Sequence, residues 1–323
     1  MINSIGNVLY KAFGLKIVSE IPLPELSQLN EKKEMADIQI EITDLSERWG
    51  RYDESQQKTM VVEDDVVMFH VPQTAIFSIQ AGEKIIFSPM PRADENKIRL
   101  YILGTCMGAI LMQRKILPLH GSVIAIDGKA YALIGDSGAG KSTLASAFLS
   151  KGYQLLSDDV VAVTLLCKNT PIVHPSYPQQ KLWQESLDEF GMEITQYSPL
   201  FERETKYAVP VNSQFFPNPL PLAGVIELVK TQGEDIELTR IEGLARLYKL
   251  YRHTFRSSLI SKLGLMEWHF ETSTNIASGM EMFQLRRPDS RFTAHELVQV
   301  ILNTIQKGSM VDGCSFEKHI IRT

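Results

Sequence analysis

The sequence predicts an α/β protein: a phosphate-binding-loop core with a β-rich region ahead of it. Three observations support this. Ile38, Ile40 and Ile42 alternate with polar neighbours, the pattern of a half-buried strand. A predicted strand at Ala130–Ile134 runs directly into Gly135–Ser142, which reads GDSGAGKS. A predicted helix follows from Ser142 to about Ser150, stopped by Gly152.

The β-rich region covers residues 1–92, and the loop-bearing region covers 93–323. A chain of 323 residues favours about two such units. In the first, two further strand runs, Met60–Val71 and Thr74–Ser88, follow the isoleucine strand, with a turn at Ala81–Gly82–Glu83. From Asn96 the pattern becomes helical as far as about Lys115, and Pro118 ends it. Ser122–Ile126 and Ala130–Ile134 flank Asp127–Gly128 and read as a hairpin. Beyond the loop helix, Tyr153–Leu156 is an apolar strand ending at Ser157, Asp158 and Asp159, before Val160–Leu166. From Cys167 to about Pro221 the chain reads as loop, punctuated by prolines. Ala223–Lys230 is a further strand, Gly243–Leu263 one long helix, and Ala294–Lys307 a closing helix. Thr293 and Glu296 are placed as the capping box of that last helix.

Composition narrows the function classes. With 44% hydrophobic and 22% charged residues the chain is ordinary globular material. A net charge of −5 gives no overall field to attract nucleic acid. Cys106, Cys167 and Cys314 are scattered, with no metal-binding spacing, and suit a reducing compartment. The longest apolar run, Leu100–Met112, is too short to cross a bilayer and reads as a buried helix. The start, MINSIGNVLYKAFG, has no signal-peptide pattern. These features point to a cytoplasmic protein without a membrane partner.

The loop matches GxxxxGK[ST] in full. Its glycines let successive N–H groups converge on phosphate oxygens, and the following helix adds its positive end. Gly135, Asp136, Ser137, Gly138, Ala139, Gly140, Lys141, Ser142 and Thr143 form the expected ATP-binding set, with Ser142 also a ligand for Mg²⁺. Asp158 and Asp159 follow at a distance suited to the metal or to the attacking nucleophile. In a strand their side chains point to opposite faces, so they are expected to do different work. His120, taken alone, reads more readily as a structural residue than as a functional one.

Residues 119–163, LHGSVIAIDGKAYALIGDSGAGKSTLASAFLSKGYQLLSDDVVAV, resemble the catalytic core of the HPr kinase/phosphorylase family. The resemblance lies in a His-Gly ahead of a hairpin, a GxSGxGKS loop and a Leu-x-x-Asp-Asp strand. It implies that family's phosphoenolpyruvate-carboxykinase-like P-loop fold and an ATP- and Mg²⁺-dependent serine kinase. Carried over by residue, Lys141 and Ser142 would serve phosphate and Mg²⁺. Asp158 would be the general base, His120 would tune it, and Asp159 would assist at the metal. The family's later glycine-rich signature is not found. YKAFGLKIVSEIPLPEL at 10–26, HPSYPQQKLWQE at 174–185 and YRHTFR at 251–256 are more similar to the HPr-kinase-related enzymes of lasso-peptide clusters. Those phosphorylate the C-terminal serine of a precursor peptide. The alternatives are an HPr kinase/phosphorylase proper and an ATP-binding switch that transfers nothing.

Weaker signals concern the substrate. Lys249, Arg252, His253 and Arg256 fall at helical spacing and would share one face. That face would either be solvated or hold a triphosphate or a peptide terminus. Lys206 reads as a loop lysine that either reaches a phosphate or stays on the surface. Trp183 and Trp268 are read as packing residues. A homo-oligomer is left open.

Overall fold

Short hairpins with positive-φ turns build the N-terminal half. The computed structural model describes residues 8–30, 36–56, 60–166, 170–200, 205–308 and 319–321; Cys167 and Cys314 lie outside them, and Cys106 is a buried thiol. β1 (Val8–Ala12) and β2 (Leu15–Ser19) are joined by Phe13 and Gly14, at φ 57° and 78°. β3 (Ser27–Gln28) edges this hairpin, and β4 (Ile38–Ile42) carries the alternating isoleucines, with Ile38 and Ile40 buried. α1 (Ser46–Gln56) was not predicted. It is mostly polar and is held by buried Trp49, which packs with Leu45, Met68 and Ile76. The run Met60–Val71 folds as two strands, β5 (Met60–Glu63) and β6 (Val66–Val71), about a turn with Asp64 at φ 49°. β7 (Ala75–Gln80) and β8 (Lys84–Pro89) turn at Ala81–Gly82 as predicted. The strands form one sheet in the order β3-β1-β2-β4-β8-β7-β6-β5.

The apolar run after residue 94 covers this sheet. α2 (Glu95–Tyr101), capped by Asp94, passes through a π-helical turn at Ile102–Cys106 into α3 (Met107–Gln113). Residues Ile102 to Met112 are buried in the same core as Ile17, Phe77 and Phe87. Among the described residues no helix is long and apolar enough to cross a membrane.

The second sheet carries the phosphate-binding loop. β9 (Leu117–Ile126) and β10 (Lys129–Ile134) form the predicted hairpin, with β9 extending back through His120. α4 (Lys141–Leu149) follows the loop. β11 is one strand, Gln154–Leu166, so the two aspartates lie within it rather than at an end. Its register on β9 shifts between Leu155 and Ser157, and Asp159 takes φ 73°. β12 (Thr170–His174) follows. Next, β13 (Gln179–Trp183), α5 (Gln184–Glu189), β14 (Ser198–Pro199) and β15 (Lys206–Pro210) place a small sheet where loop was expected. Prolines and short segments hid these elements, which are held by Leu182, Leu187 and Val209 packing onto the α4 core. β16 (Leu220–Thr231) and β17 (Ile236–Arg240) precede α6 (Leu244–Arg252), α7 (Ser258–Lys262) and α8 (Met266–Ser278). β18 (Glu281–Pro288), α9 (Ala294–Gly308) and β19 (His319–Ile321) close the chain. The sheet order is β10-β9-β11-β12-β16-β18-β17-β19, with β10 also paired parallel to β16. Side chains of β10 alternate between two cores: Leu133 packs with α4 and α9, and Ala132 and Ile134 with α6 and α8.

Two further expectations are corrected. The helix drawn over Gly243–Leu263 breaks after Arg252, because the chain there pairs with β9 instead. His120 N–H donates to the His253 carbonyl at 2.7 Å, Phe255 N–H to the Pro118 carbonyl at 2.8 Å, and Leu119 bridges Thr254. Arg256 then takes φ 54°. Lys249, Arg252, His253 and Arg256 therefore do not share a helix face. At α9, Thr293 precedes the first turn, but the capping box is not made. Its buried hydroxyl has no hydrogen-bond partner, and Glu296 pairs with Arg291.

Candidate active site

The loop needs glycine where it turns. Gly135 sits at φ 151°, where an added Cβ would lie 2.5 Å from the Leu228 carbonyl oxygen. Gly138 and Gly140 follow at φ 81° and 102°, and α4 begins at Lys141. The buried Lys141 ammonium donates to the carbonyls of Gly135 (2.9 Å) and Asp136 (3.0 Å), using two of its three donors. Burial lowers its pKa, against the pull of Asp158 and Asp159. Arg287, from β18, donates to the Ala139 carbonyl at 2.9 Å and lies against Gly140, bringing a second cation to the loop.

The two aspartates do face different partners. Asp158 is buried and accepts three hydrogen bonds. Ser122 Oγ (2.6 Å) and Ser142 Oγ (3.0 Å) donate to Oδ1, and Lys181 N–H donates to Oδ2 at 2.8 Å. Asp159 Oδ2 lies 2.5 Å from Lys181 Nζ, and its Oδ1 lies 3.4 Å from His120 Nδ1. Burial alone would raise the Asp159 pKa, but Lys181 and His120 hold it well below the carboxylate range. Lys181 is pushed well up by Asp159 in spite of its own burial. His120 is pushed down, chiefly by burial and further by Lys141, against the pull of Asp159. Its ring also meets Phe255, 5.8 Å between centroids.

These groups open onto one cleft of about 600 Å³. Ser137, Gly138, Gly140, Lys141, Ser142 and Thr143 line it with Asp158, Asp159 and His120. Gly135, Asp136 and Ala139 complete the loop behind them. The four substrate candidates separate. Lys206, on β15 rather than in a loop, lines the cleft with its ammonium 5.4 Å from the Trp183 ring. Arg256 also lines it, donating to Thr105 Oγ1 at 2.9 Å. Lys249 is turned away, paired with buried Glu227 at 2.8 Å. Arg252 reaches the loop from outside, through Asp136 at 2.7 Å.

The sequence reading missed Lys181, Ser122, Arg287 and Arg291 as cleft or site residues, and took Trp183 only as a packing residue. Lys181 lay inside the segment 174–185 quoted for its similarity. Ser122 lay inside the quoted segment 119–163, whereas Arg287, on β18, and Arg291, just beyond it, carry no local signal, because the fold brings them to the loop from far along the chain.

The residue set fits Mg²⁺ bound with a nucleotide. Ser142 and Asp158 put a hydroxyl and a carboxylate oxygen side by side, and such a site needs one or two carboxylates with phosphate completing the shell. Among the described residues there is no cluster of three or more His, Cys, Asp or Glu to cage a metal unaided.

Part of the chain is similar to HPr kinase/phosphorylases. The protein of that name from Mycoplasmopsis pulmonis is 37% identical over 70 residues, 21% of this chain and 23% of the relative. That from Lactobacillus gasseri is 30% identical over 101 residues, 28% of this chain and 32% of the relative. The Paraburkholderia phymatum protein is 35% identical over 91 residues, 26% of its length. The chain thus matches about a quarter to a third of these relatives. The Hpr(Ser) kinase/phosphatase of Coxiella burnetii overlays 60% of this chain and 99% of its own at 14% identity, with a TM-score of 0.33, too loose a fit to build on. No family model matches the chain.

Proposed function

We propose that this protein is an ATP-dependent serine kinase whose acceptor is a peptide, with the C-terminal serine of a lasso-type precursor as the favoured target. The observation behind this reading is the division of labour between the two aspartates beside a complete phosphate loop. A nucleotide-binding switch needs the loop but has no use for a half-buried carboxylate–histidine pair at the edge of the same cleft.

The geometry favours roles opposite to those the family pattern suggested. Asp158 is joined to Ser142, so it stands on the metal side. Three donors already engage it, which leaves it poorly placed to take a proton. Asp159 and His120 face the cleft and are the better pair to orient an attacking hydroxyl. The loose transition state of phosphoryl transfer demands positioning and charge neutralisation more than a strong base, so a low Asp159 pKa is no obstacle. Lys141 and Arg287 hold the phosphates, and bound Mg²⁺ would neutralise charge on them. Arg256 and Lys206 supply positive charge elsewhere on the cleft wall, suited to a peptide carboxylate or a phosphate.

The test is transfer from Mg·ATP to synthetic peptides ending in serine, read by mass spectrometry. HPr and a peptide with an amidated end serve as competing acceptors. Transfer to the free-acid peptide above both supports the reading. Preference for HPr would favour the HPr kinase/phosphorylase alternative, and no transfer to any serine would favour the switch.

A further inference from the structure

Five of the six large hydrophobic side chains exposed among the described residues lie on two packed helices. Leu244, Tyr248 and Tyr251 are on α6, and Met266 and Phe270 on α8; Leu244 is 82% and Phe270 63% exposed. Spacings of i, i+4 and i+7 on one helix and i, i+4 on the other make each set a stripe. Tyr251 meets the His269 ring edge-on at 5.5 Å, so the stripes adjoin. The inward side of α6 is already used, with Leu250 buried in the core shared with Ile276. The outward face is therefore apolar beyond what packing needs, the mark of an interaction surface.

We propose that this face docks the segment of the acceptor polypeptide that flanks its reacting serine, and that this segment is acidic and rich in large apolar residues. The proposal rests on the kinase reading for the word acceptor. Two observations choose the occupant. The first is charge: from Gly243 to Met266 there is no acidic residue, in a chain of net charge −5. Arg252, Arg256 and Lys262, all within that stretch, are exposed. Glu267 and Glu271 lie one step round α8, so an acidic segment would run along the α6 side. The second is continuity with the cleft. Arg252 pairs with Asp136 of the loop, the His253 carbonyl accepts from His120 N–H, and Phe255 and Arg256 line the cleft. A chain leaving the cleft past Arg256 would run toward α6, whose last residue, Arg252, pairs with the loop. α6 has nine residues. Its length of about 13 Å is spanned by roughly four extended residues.

The experiment selects a random dodecapeptide display library on the full chain without nucleotide. It is repeated on Tyr248→Ser/Phe270→Ser, with Leu244→Ser as a second variant; all three positions are exposed and outside the catalytic machinery. The wild type is expected to enrich peptides rich in Asp, Glu, Leu and Phe. Both variants should bind those peptides at least about tenfold more weakly by fluorescence anisotropy, the scale of losing a hot-spot aromatic. Their Mg·ATP affinity by calorimetry should match the wild type. Equal binding by wild type and variants overturns the proposal, as does enrichment of basic peptides. So does a wild-type dimer that the double variant converts to monomer, since a second copy would then cover the face. Because selection uses no nucleotide, failure to transfer phosphate would count against the kinase reading alone.

Discussion

Replacing Lys181 with methionine removes a charge from a buried pair while nearly keeping side-chain volume. Lys181 Nζ and Asp159 Oδ2 are 2.5 Å apart, with side chains 7% and 19% exposed. Removing one partner of such a pair costs about 3–5 kcal/mol, because the other charge stays buried and uncompensated. At a urea slope of about 3 kcal/mol per M, the unfolding midpoint should fall by roughly 1–1.7 M at pH 7. The loss should depend on pH. In the wild type Asp159 has a depressed folded pKa, so it stabilises above its unfolded value near ~4 and loses that contribution only in strong acid. Lys181 is raised, so its contribution is complete below its unfolded value near ~10 and is lost only above that. Between these limits the pair makes no pH slope. In Lys181→Met the Asp159 pKa should rise, so the deficit should be largest at neutral pH and shrink as pH falls toward 5. Adding Asp159→Asn should recover most of the lost stability, since both charges are then gone. Urea titrations followed by circular dichroism from pH 5 to 9 measure all three variants. A pH-independent loss, or a double variant no more stable than the single one, would refute the buried-pair account.

Four other outcomes are expected. Lys141→Ala should weaken ATP binding by calorimetry and abolish transfer, since it deletes the loop's own cation. Asp159→Asn should lower kcat by about 10²–10⁴ with nucleotide affinity within a few-fold of wild type. Asp158→Asn should instead raise the Mg²⁺ concentration needed for half-maximal rate, and the reverse pattern would restore the roles the family pattern gave. Glu227, held down to about 2 against burial by His253, Gln284 and Lys249, stabilises above its ordinary range and loses this as pH falls toward 2. Glu227→Gln should therefore flatten the acid limb of the stability profile while lowering stability at pH 7.

The sequence made the phosphate side of the site legible because its chemistry is local. Gly135, Gly140, Lys141 and Ser142 sit within one turn and need no distant partner. The hairpin before the loop was equally plain, since Asp127–Gly128 states its turn. Hidden parts depend on contacts between distant segments. The helical pattern through Gly243–Leu263 is real as propensity, but pairing of Thr254 with Leu119 outweighs it and breaks the helix. α1 is too polar to announce itself, because one tryptophan supplies its anchor. Lys181 sits on β13, 22 positions from Asp159 and in a different sheet, and nothing around it in sequence signals a buried ion pair.

The helix around Ile102–Cys106 serves two masters. Its buried residues complete the hydrophobic interior of the first sheet, yet Leu100, Tyr101, Gly104 and Thr105 form a wall of the cleft whose floor is the glycine loop of the second. Each half of the cleft is therefore inherited from a different folding core. Drift in the packing of the first sheet, through volume changes at Phe77 or Ile17 for instance, would move that wall without touching a phosphate ligand. Selection can thus retune what enters beside the nucleotide by repacking residues far from the chemistry, while the nucleotide machinery stays fixed.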